Sequence, residues 1–522
     1  MIVLCYISHF FILQFTAKDC IIVAYSEQRK AELKIRSYNR KGMIMNMKHT
    51  RKPRIGIIGM GHYVYWQQFD GLLNELKQKQ RNVAGFFSAD SDIIDLGFAD
   101  DIDSSFVALK KAMASDLDAL FIVMATYITS AVAFPFAKYL RIPQILVALQ
   151  PLDRLDYTKT TTYMQLCNDD ICSLPEFSGV YARLGAPRPF FIVESMSSTE
   201  RIKSRFAEYE RAISALSAFK YAKFGYLGHT YDGMYDMNTD PTAFAAAFGS
   251  HVKMLEMCEL AEDVQSATEA EVKERIELIK ATFDIREPSN DPLTDHVRDS
   301  DLTLAARCSV GLDKLIERNG LSALAYYYKG ENNNLYEQIS ANLIIGNSLL
   351  TSRGIPLAGE ADLKTAASMM IMNRIGGGGS FAELHPFDIC DDVVLIGHDG
   401  PHNLAISEGK PILRKLKKFH GKSGSGVSVE FKLKNGPVSL LSCSVGADGK
   451  MKLISAAGES MPGAIPQTGT TNTKCHFSIP ATEFVERWCD AGPTHHLALG
   501  TGDRRREIAL FARMAGIELT EI

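Results

Sequence analysis

Short apolar runs alternate with amphipathic stretches between Arg54 and Pro151. The apolar runs predict buried strands, and the stretches with apolar residues at helical spacing predict helices that cover them. The predicted strands are residues 55–59, 83–87, 119–125 and 144–148, and the predicted helices are residues 67–78, 104–114 and 130–140. This alternation of strands and helices predicts a parallel, doubly wound sheet.

A second segment continues the alternation. Its predicted strands are residues 190–193, 224–227, 324–328 and 355–358, and its predicted helices are residues 198–221, 241–248, 268–282, 302–318 and 335–350. Three adjacent tyrosines, 326 to 328, fall in one of these strands, where we expect strand packing more than sugar binding. The segment therefore predicts a second parallel sheet.

The pattern changes after Gly376, where glycine, serine and β-branched residues replace the helical spacing. Residues 427–433 and 438–445 flank an Asn435-Gly436 turn, and a second tight turn at residues 447–450 precedes residues 451–455. Such turns predict hairpins, and so an antiparallel sheet or small barrel. A helix at residues 503–515 and a short strand complete this part.

The predicted fold class is thus α/β, with two doubly wound parallel-sheet domains followed by a β-rich domain. The predicted boundaries are 51–218 for the N-terminal domain, 219–376 for the central domain and 377–522 for the C-terminal domain. Residues 1–50 are predicted to be an extension outside the fold, with Met43, Met45 and Met47 as alternative starts. A targeting or anchoring segment is the alternative.

Composition narrows the function classes. The 522 residues are 46% hydrophobic and 23% charged, which is typical of a globular protein. The net charge of -4 predicts no nucleic-acid partner. The apolar start, residues 1–16, is shorter than the roughly 20 residues of a spanning helix, so no membrane partner is expected. Ten cysteines without a CxxC motif predict free thiols in the cytoplasm.

The Gly59-Met60-Gly61 turn superficially matches the start of a dinucleotide-binding fingerprint. Val64 stands where the third glycine belongs, and we therefore predict no nucleotide cofactor.

Potential metal ligands concentrate in four segments. Glu360 follows a predicted strand, Glu383 follows a four-glycine turn, His398 ends a hydrophobic strand, and His495-His496 lie in a loop bounded by glycine and proline. Carboxylates and imidazoles at strand ends suit Mn²⁺, with Mg²⁺, Co²⁺ or Fe²⁺ as competitors. The alternatives are a helix-capping role for Glu360, a core histidine at 398 and a merely flexible glycine loop.

Taken together, these segments resemble the L-arabinose isomerases. The resemblance lies in GIPLAGEADLKTAASMMIM (354–372), GGGGSFAE (376–383), DDVVLIGHDG (391–400) and AGPTHHLAL (491–499), which come in the family's order. It implies two flavodoxin-like domains followed by one that bears an antiparallel β-barrel. It also implies a homo-trimer or homo-hexamer in which a neighbouring subunit completes the pocket.

The resemblance further implies that Glu360, Glu383, His398 and His496 bind Mn²⁺. Glu360 and Glu383 would also be the catalytic pair that moves protons through an enediol, converting a free aldose to a ketose. The substrate most favoured is L-arabinose, giving L-ribulose. An isomerase for an aldose of the L-fucose or D-galactose type, or a non-catalytic sugar-binding protein, is the alternative.

The sugar-contacting loops depart from the family's pattern. His62 matches, but Gly61 replaces a glutamine, and Gln150 lies in a different sequence context. By the resemblance His62, Trp66 and Gln150 are candidate substrate-binding residues. His402 and His495 are candidates for orienting the metal ligands.

Overall fold

The computed structural model describes residues 52–332, 334–418 and 424–522. The predicted N-terminal extension, residues 1–50, lies outside the described residues. Within the described residues, no helix combines the length and the apolar character needed to cross a membrane. The cysteines from Cys167 onward that the structure describes are free thiols.

The first sheet is wholly parallel and contains β1 (Arg54–Met60), β2 (Asp92–Ala99), β3 (Ala119–Met124), β4 (Gln144–Gln150) and β5 (Phe190–Ser195). The strand order is β2-β1-β3-β4-β5, which is the order of flavodoxin-like doubly wound sheets. The accompanying helices are Leu72–Ala84, Ile102–Ala114, Ser130–Tyr139, Thr162–Cys167, Leu174–Arg183 and Thr199–Lys220, with a 3₁₀ turn at Tyr63–Tyr65.

Alternating residues of this sheet pack into two separate cores because successive side chains point to opposite faces. Ile57 and Phe121 pack with Phe206 on one face, whereas Ile58 and Ile122 pack on the other. Helices cover both faces, as the sequence predicts.

The predicted strand at residues 83–87 is wrong. Val83 lies near the end of the helix Leu72–Ala84, and Phe87 packs against Phe121 and Phe206 with ring centroids 4.8 and 5.0 Å apart. The second strand is instead Asp92–Ala99, an edge strand with two exposed and four partly exposed positions. Asp92 and Asp95 interrupt the apolar pattern of this strand, and the sequence pattern therefore does not predict it. Such polar residues are tolerated because the strand lies at the edge of the sheet.

The second sheet is also parallel and contains β6 (Lys223–Gly228), β7 (His251–Leu255), β10 (Ala323–Tyr327) and β11 (Leu357–Ala358). Its strand order is β11-β10-β6-β7. The helices of this region are Pro241–Phe248, Met257–Gln265, Glu269–Thr282, Asp299–Asn319, Leu335–Ser340 and Ile344–Ser352. The single helix predicted at residues 335–350 is therefore two helices, and β7 was not predicted.

The remaining strands form two further sheets. A small one contains β8 (Asp284–Ile285), β9 (Thr294–Asp295), β14 (Ile412–Lys417) and β15 (Ser425–Glu430). The large mixed sheet contains β12 (Ser380–Asp388), β13 (Val393–His398), β16 (Gly436–Val445), β17 (Met451–Ser460), β18 (Thr471–His476), β19 (Leu497–Thr501) and β20 (Glu518–Glu521). Its order is β16-β19-β12-β13-β18-β17-β20, with an additional pairing of β16 and β17. The antiparallel barrel stays a prediction.

One hairpin prediction is confirmed and one is wrong. β16 and β17 form a hairpin from Gly436↔Ser460 to Val445↔Met451 around the turn at residues 447–450. The Asn435-Gly436 turn joins no hairpin, because β15 pairs with β14 in the small sheet. An Asn-Gly turn determines only the local backbone geometry, and β15 pairs with β14 rather than with β16.

The helix Leu363–Arg374 connects the second sheet to the large one. Ten of its twelve residues are buried, and Met369 packs in one core with Phe224, Phe381 and Leu441. Two further helices, Ala481–Asp490 and Arg505–Ala515, cover the C-terminal part. This packing brings the carboxyl edge of the second sheet against the large sheet. The predicted domain boundaries stay a prediction.

Candidate active site

Glu360 sits in a strained turn immediately after β11. The turn Gly359–Ala361 is a 3₁₀ turn in which Glu360 has φ 54° and Ala361 has φ 58°. Left-handed backbone at a residue with a Cβ costs about 1–2 kcal/mol, and such strain is concentrated at functional sites. The turn carries the carboxylate to the paired-histidine loop, where Glu360 Oε2 lies 3.5 Å from His496 Nε2.

His496 is fully buried and is oriented by Asp362. Asp362 Oδ2 lies 3.2 Å from His496 Nδ1, on the side of the ring opposite Glu360. Although burial raises the pKa of Asp362, Lys364 and His496 outweigh it and lower this pKa to about 2. The ionised carboxylate accepts the Nδ1 hydrogen, which leaves the lone pair of Nε2 directed toward Glu360.

Glu383 lies on β12 between two imidazoles. Its Oε1 is 3.1 Å from His385 Nε2, and its Oε2 is 2.6 Å from His495 Nε2. Burial raises the pKa of Glu383, but the hydrogen bonds from His385 and His495 hold it far below the usual range. The bond to Glu383 in turn raises the pKa of His495. Both oxygens of this carboxylate are therefore held in place.

His398, the last residue of β13, completes the group. Its Nε2 is 3.9 Å from Glu383 Oε1, and its Nδ1 is 3.1 Å from Asp399 Oδ1. Burial lowers the pKa of His398, but Asp399, Glu383 and Glu360 raise it to about 9. The surrounding carboxylates thus favour positive charge at this position, whether a proton or a cation supplies it.

Glu360, Glu383, His398 and His495 line one pocket of about 560 Å³, and the buried His496 lies next to Glu360. The same pocket is also lined by Tyr231, Met234 and the tyrosines 326 to 328. The ring centroids of Tyr231 and Tyr327 are 5.2 Å apart. Tyr326 and Tyr327 belong to β10, so they combine the predicted strand packing with a place in the pocket wall. Such a combination of apolar wall and converging polar groups is typical of a small-molecule site.

The four predicted ligands come together. Ligand atoms of Glu360, His398 and His496 lie within 4.8 Å of one another, as do those of Glu383, His495 and His496. Glu360 Oε2 and His496 Nε2 are buried and have no hydrogen-bond partner within the described residues. Buried acceptors without donors are expected where a cation belongs, so these residues fit a divalent ion.

His495 and His402 differ in their surroundings. His495 lines the pocket and holds Glu383, as expected of a residue that orients a ligand. His402 is fully buried, and its ring lies 5.6 Å from the ring of Phe431. Burial lowers the pKa of His402 to about 3, so it stays neutral. Its predicted role in orienting ligands stays a prediction.

The structure places the three predicted substrate-binding residues at the carboxyl edge of the first sheet, away from this pocket. His62 packs edge-to-face against Tyr63, Tyr65 and Tyr127. Trp66 Nε1 donates to Asp100 Oδ2 at 2.7 Å, and Gln150 Nε2 donates to the carbonyl oxygen of Leu152. Among the described residues that line the pocket, Tyr231 is the first along the chain.

Sequence reasoning missed Asp362 as the partner of His496, Asp399 as the partner of His398, and His385. His385 carried a signal, because it stands two residues after Glu383 on a strand and so shares its face. Asp399 follows His398 directly, but a neighbour in sequence does not predict a side-chain contact. Tyr231 carried no signal, because its loop meets the site only through the tertiary fold.

Comparison with known proteins bears on the same region. The family model for the L-arabinose isomerase central domain matches residues 236–378, and that for the L-arabinose isomerase C-terminal domain matches residues 378–518. Together these matches cover more than half of the chain. The chain belongs to the L-arabinose isomerase family. The resemblance of the four motifs is thereby confirmed, and all four predicted ligands lie inside the matched residues.

Individual relatives in the family are distant. The L-arabinose isomerase of Yersinia enterocolitica is 24% identical over 334 residues, which cover 60% of this chain and 63% of the relative. That of Escherichia fergusonii is 25% identical over 297 residues, or 54% and 57% of the two chains. That of Escherichia coli K12 is 27% identical over 232 residues, or 42% and 44%. The chain thus spans less than two thirds of the length of these relatives.

Proposed function

We propose that this protein is a metal-dependent aldose–ketose isomerase that acts on a free sugar, with L-arabinose to L-ribulose as the favoured reaction. One observation carries the proposal. Two carboxylates and two imidazoles from four separate segments converge, with Glu360 Oε2 3.5 Å from His496 Nε2 and Glu383 Oε1 3.9 Å from His398 Nε2. Three of these residues, Glu360, Glu383 and His398, line one pocket. Family membership supports the same reaction class.

The ion-binding residues would be Glu360, Glu383, His398 and His496, and Mn²⁺ is the favoured ion, with Mg²⁺, Co²⁺ or Fe²⁺ as alternatives. When bound, a divalent ion supplies Lewis-acid stabilisation of negative charge on the sugar oxygens. Asp362 is hydrogen-bonded to Nδ1 of His496, and Asp399 lies 3.1 Å from Nδ1 of His398, so each ring presents Nε2 to the glutamates. This arrangement of carboxylate, imidazole and ion is common in metal enzymes.

The two glutamates carry the proton transfers. In the isomerisation, one carboxylate takes the proton from C2 of the open-chain aldose and returns it to C1, while the other moves the hydroxyl proton. Glu383 is held on both oxygens by His385 and His495, which fixes its position against the substrate. Glu360 is held by its strained backbone turn. Tyr231 and Tyr327 line the same pocket as the glutamates and would exclude water from the reacting carbons.

The proposal includes two classes of sugar substrate, pentoses and hexoses. A pocket of about 560 Å³ accommodates a hexose as well as a pentose. We therefore retain an aldose of the L-fucose or D-galactose type as the alternative substrate.

Assembly and location belong to the proposal too. We propose a homo-trimer or homo-hexamer in which His62, Trp66 and Gln150 of one subunit approach the pocket of its neighbour. Their position outside the pocket of their own chain supports this. Free thiols in the described part of the chain support a cytoplasmic location.

The deciding experiment is a turnover assay on metal-depleted protein. L-arabinose, L-fucose and D-galactose are each incubated with and without Mn²⁺, and ketose formation is measured. We expect Mn²⁺-dependent ketose from at least one sugar. If sugars bind but none of the three is converted to a ketose, the non-catalytic sugar-binding protein is favoured instead.

A further inference from the structure

The helix that follows Glu360 carries a fully buried lysine. Lys364 has no exposed surface, and neither have Asp362 and His496. An ammonium group is rarely buried without a partner, because removing a lone charge from water is costly. Lys364 lies four residues after Glu360 on the chain, and the partners of its buried charge therefore bear on the candidate metal site.

The contacts of Lys364 lead to His496 in two steps. Lys364 Nζ lies 3.9 Å from Asp362 Oδ1 and donates to Thr239 Oγ1 at 3.1 Å. Asp362 in turn lies 3.2 Å from Nδ1 of His496 through its other oxygen. The series runs from a buried cation through a buried anion to the ring that faces Glu360.

Asp362 is fixed by donors on every side. Its Oδ1 accepts the backbone N–H groups of Lys364 and Thr365 at 3.0 and 3.1 Å, and its Oδ2 accepts the Thr365 hydroxyl at 2.8 Å. The same carboxylate thus caps the helix and orients His496. The backbone and hydroxyl donors to Asp362 are neutral, whereas Lys364 places a positively charged ammonium 3.9 Å from its Oδ1.

We propose that Lys364 is a positioning residue for His496 and acts through Asp362. This inference rests on the proposed function, because it concerns a ligand of the proposed metal site. The ammonium balances the charge of Asp362 and keeps the carboxylate aligned with the helix N-terminus and with Nδ1 of His496. Without it, the buried carboxylate lacks its counter-charge and the ring loses its fixed direction.

A second buried lysine provides a matched control. Lys79 is 6% exposed and forms an ion pair with the fully buried Asp170, close to the carbonyl oxygen of Ala125. It belongs to the first sheet's helix Leu72–Ala84, away from the ligands. Lys79→Met and Lys364→Met each remove a buried ammonium from a buried carboxylate, but only Lys364→Met does so next to His496.

The test is Mn²⁺ binding to the metal-depleted full chain, measured by electron paramagnetic resonance without sugar. We expect Lys364→Met to weaken Mn²⁺ binding about 10-fold, the lower end of the effect of losing a direct partner of a metal ligand, because Lys364 acts one contact further out. Lys79→Met should change it less than about twofold, although both variants lower the melting temperature. Equal Mn²⁺ binding by Lys364→Met and the wild type would overturn the inference.

Action through Asp362 is tested by a double-mutant cycle. Asp362→Asn should also weaken Mn²⁺ binding, and adding Lys364→Met to it should cause little further loss, because the two changes remove one interaction. Fully additive losses would contradict the action of Lys364 through Asp362. If Lys364→Met does not fold, the measurement on Asp362→Asn tests the inference, since unchanged Mn²⁺ binding in that variant would contradict a role of Asp362 in positioning His496. Failure of the wild type to bind Mn²⁺ contradicts the proposed function as well, which distinguishes the two failures.

Discussion

The carboxyl edges of the two parallel sheets look alike in sequence but differ in chemistry. Both edges follow buried strands and carry aromatic and polar side chains. At the first sheet these groups bond within their own edge, as Trp66 does with Asp100. At the second sheet, Glu360 faces residues of the large sheet and its Oε2 has no hydrogen-bond partner within the described residues. A strand edge thus becomes a candidate metal site only where another layer supplies the opposing ligands.

The largest effect is expected at the two glutamates. Glu360→Gln and Glu383→Gln remove the groups that carry the proton transfers, so kcat should fall about 10²–10⁴-fold. Ketose formation in the presence of Mn²⁺ measures it. Glu194→Gln, at the end of β5 on the first sheet, is the matched control and should leave kcat unchanged. Equal loss in all three variants would mean that the second edge has no special role.

Histidine substitutions at the two sheet edges should differ in their effect on Mn²⁺ affinity. His398→Ala removes an imidazole ligand, and we expect Mn²⁺ binding to weaken by about 100-fold or more, beyond the loss of an outer partner. His62→Ala removes a histidine from the first edge and should leave Mn²⁺ affinity unchanged in the isolated chain. Titration calorimetry of the metal-depleted protein measures both. Similar affinities for the two variants would contradict the ligand assignment.

Much of this contrast could be predicted from local sequence. Glu360 follows a short apolar strand, His398 ends one, Glu383 follows a four-glycine turn, and His496 lies in a loop bounded by glycine and proline. Each therefore belongs to a strong local motif. The helix Pro241–Phe248 matches its prediction fully, because Asp240 and Gly249 mark its ends.

The remainder depends on contacts that sequence spacing does not encode. Residues 83–87 are apolar because they cover the sheet, not because they pair within it. The Asn435-Gly436 turn has hairpin chemistry, but the pairing partner of β15 comes from a non-local strand. Asp362 is a helix cap by sequence, and only the tertiary fold places His496 beside it.

Tyr231 should show a smaller effect. Its ring lines the same pocket as the glutamates. Tyr231→Ala should therefore raise KM for the sugar about tenfold, a loss of roughly 1–2 kcal/mol of apolar contact. Tyr231→Phe keeps the ring and should stay close to the wild type. Steady-state kinetics with L-arabinose and D-galactose measure both variants. An equal rise in KM for Tyr231→Phe would assign the effect to the hydroxyl group rather than to the wall.

The smallest effect on metal chemistry is expected at Trp66. Trp66→Phe removes the indole N–H that donates to Asp100 Oδ2 at 2.7 Å but keeps an aromatic ring packed near Phe98. Losing a hydrogen bond to a partly buried carboxylate should lower the free energy of unfolding by about 1–3 kcal/mol, measured by urea titration. Mn²⁺ affinity should not change, because this bond closes within the first edge. Weaker Mn²⁺ binding by Trp66→Phe would show that the two edges are energetically coupled within one chain, and the contrast between a self-bonded edge and a ligand-binding edge would then fail.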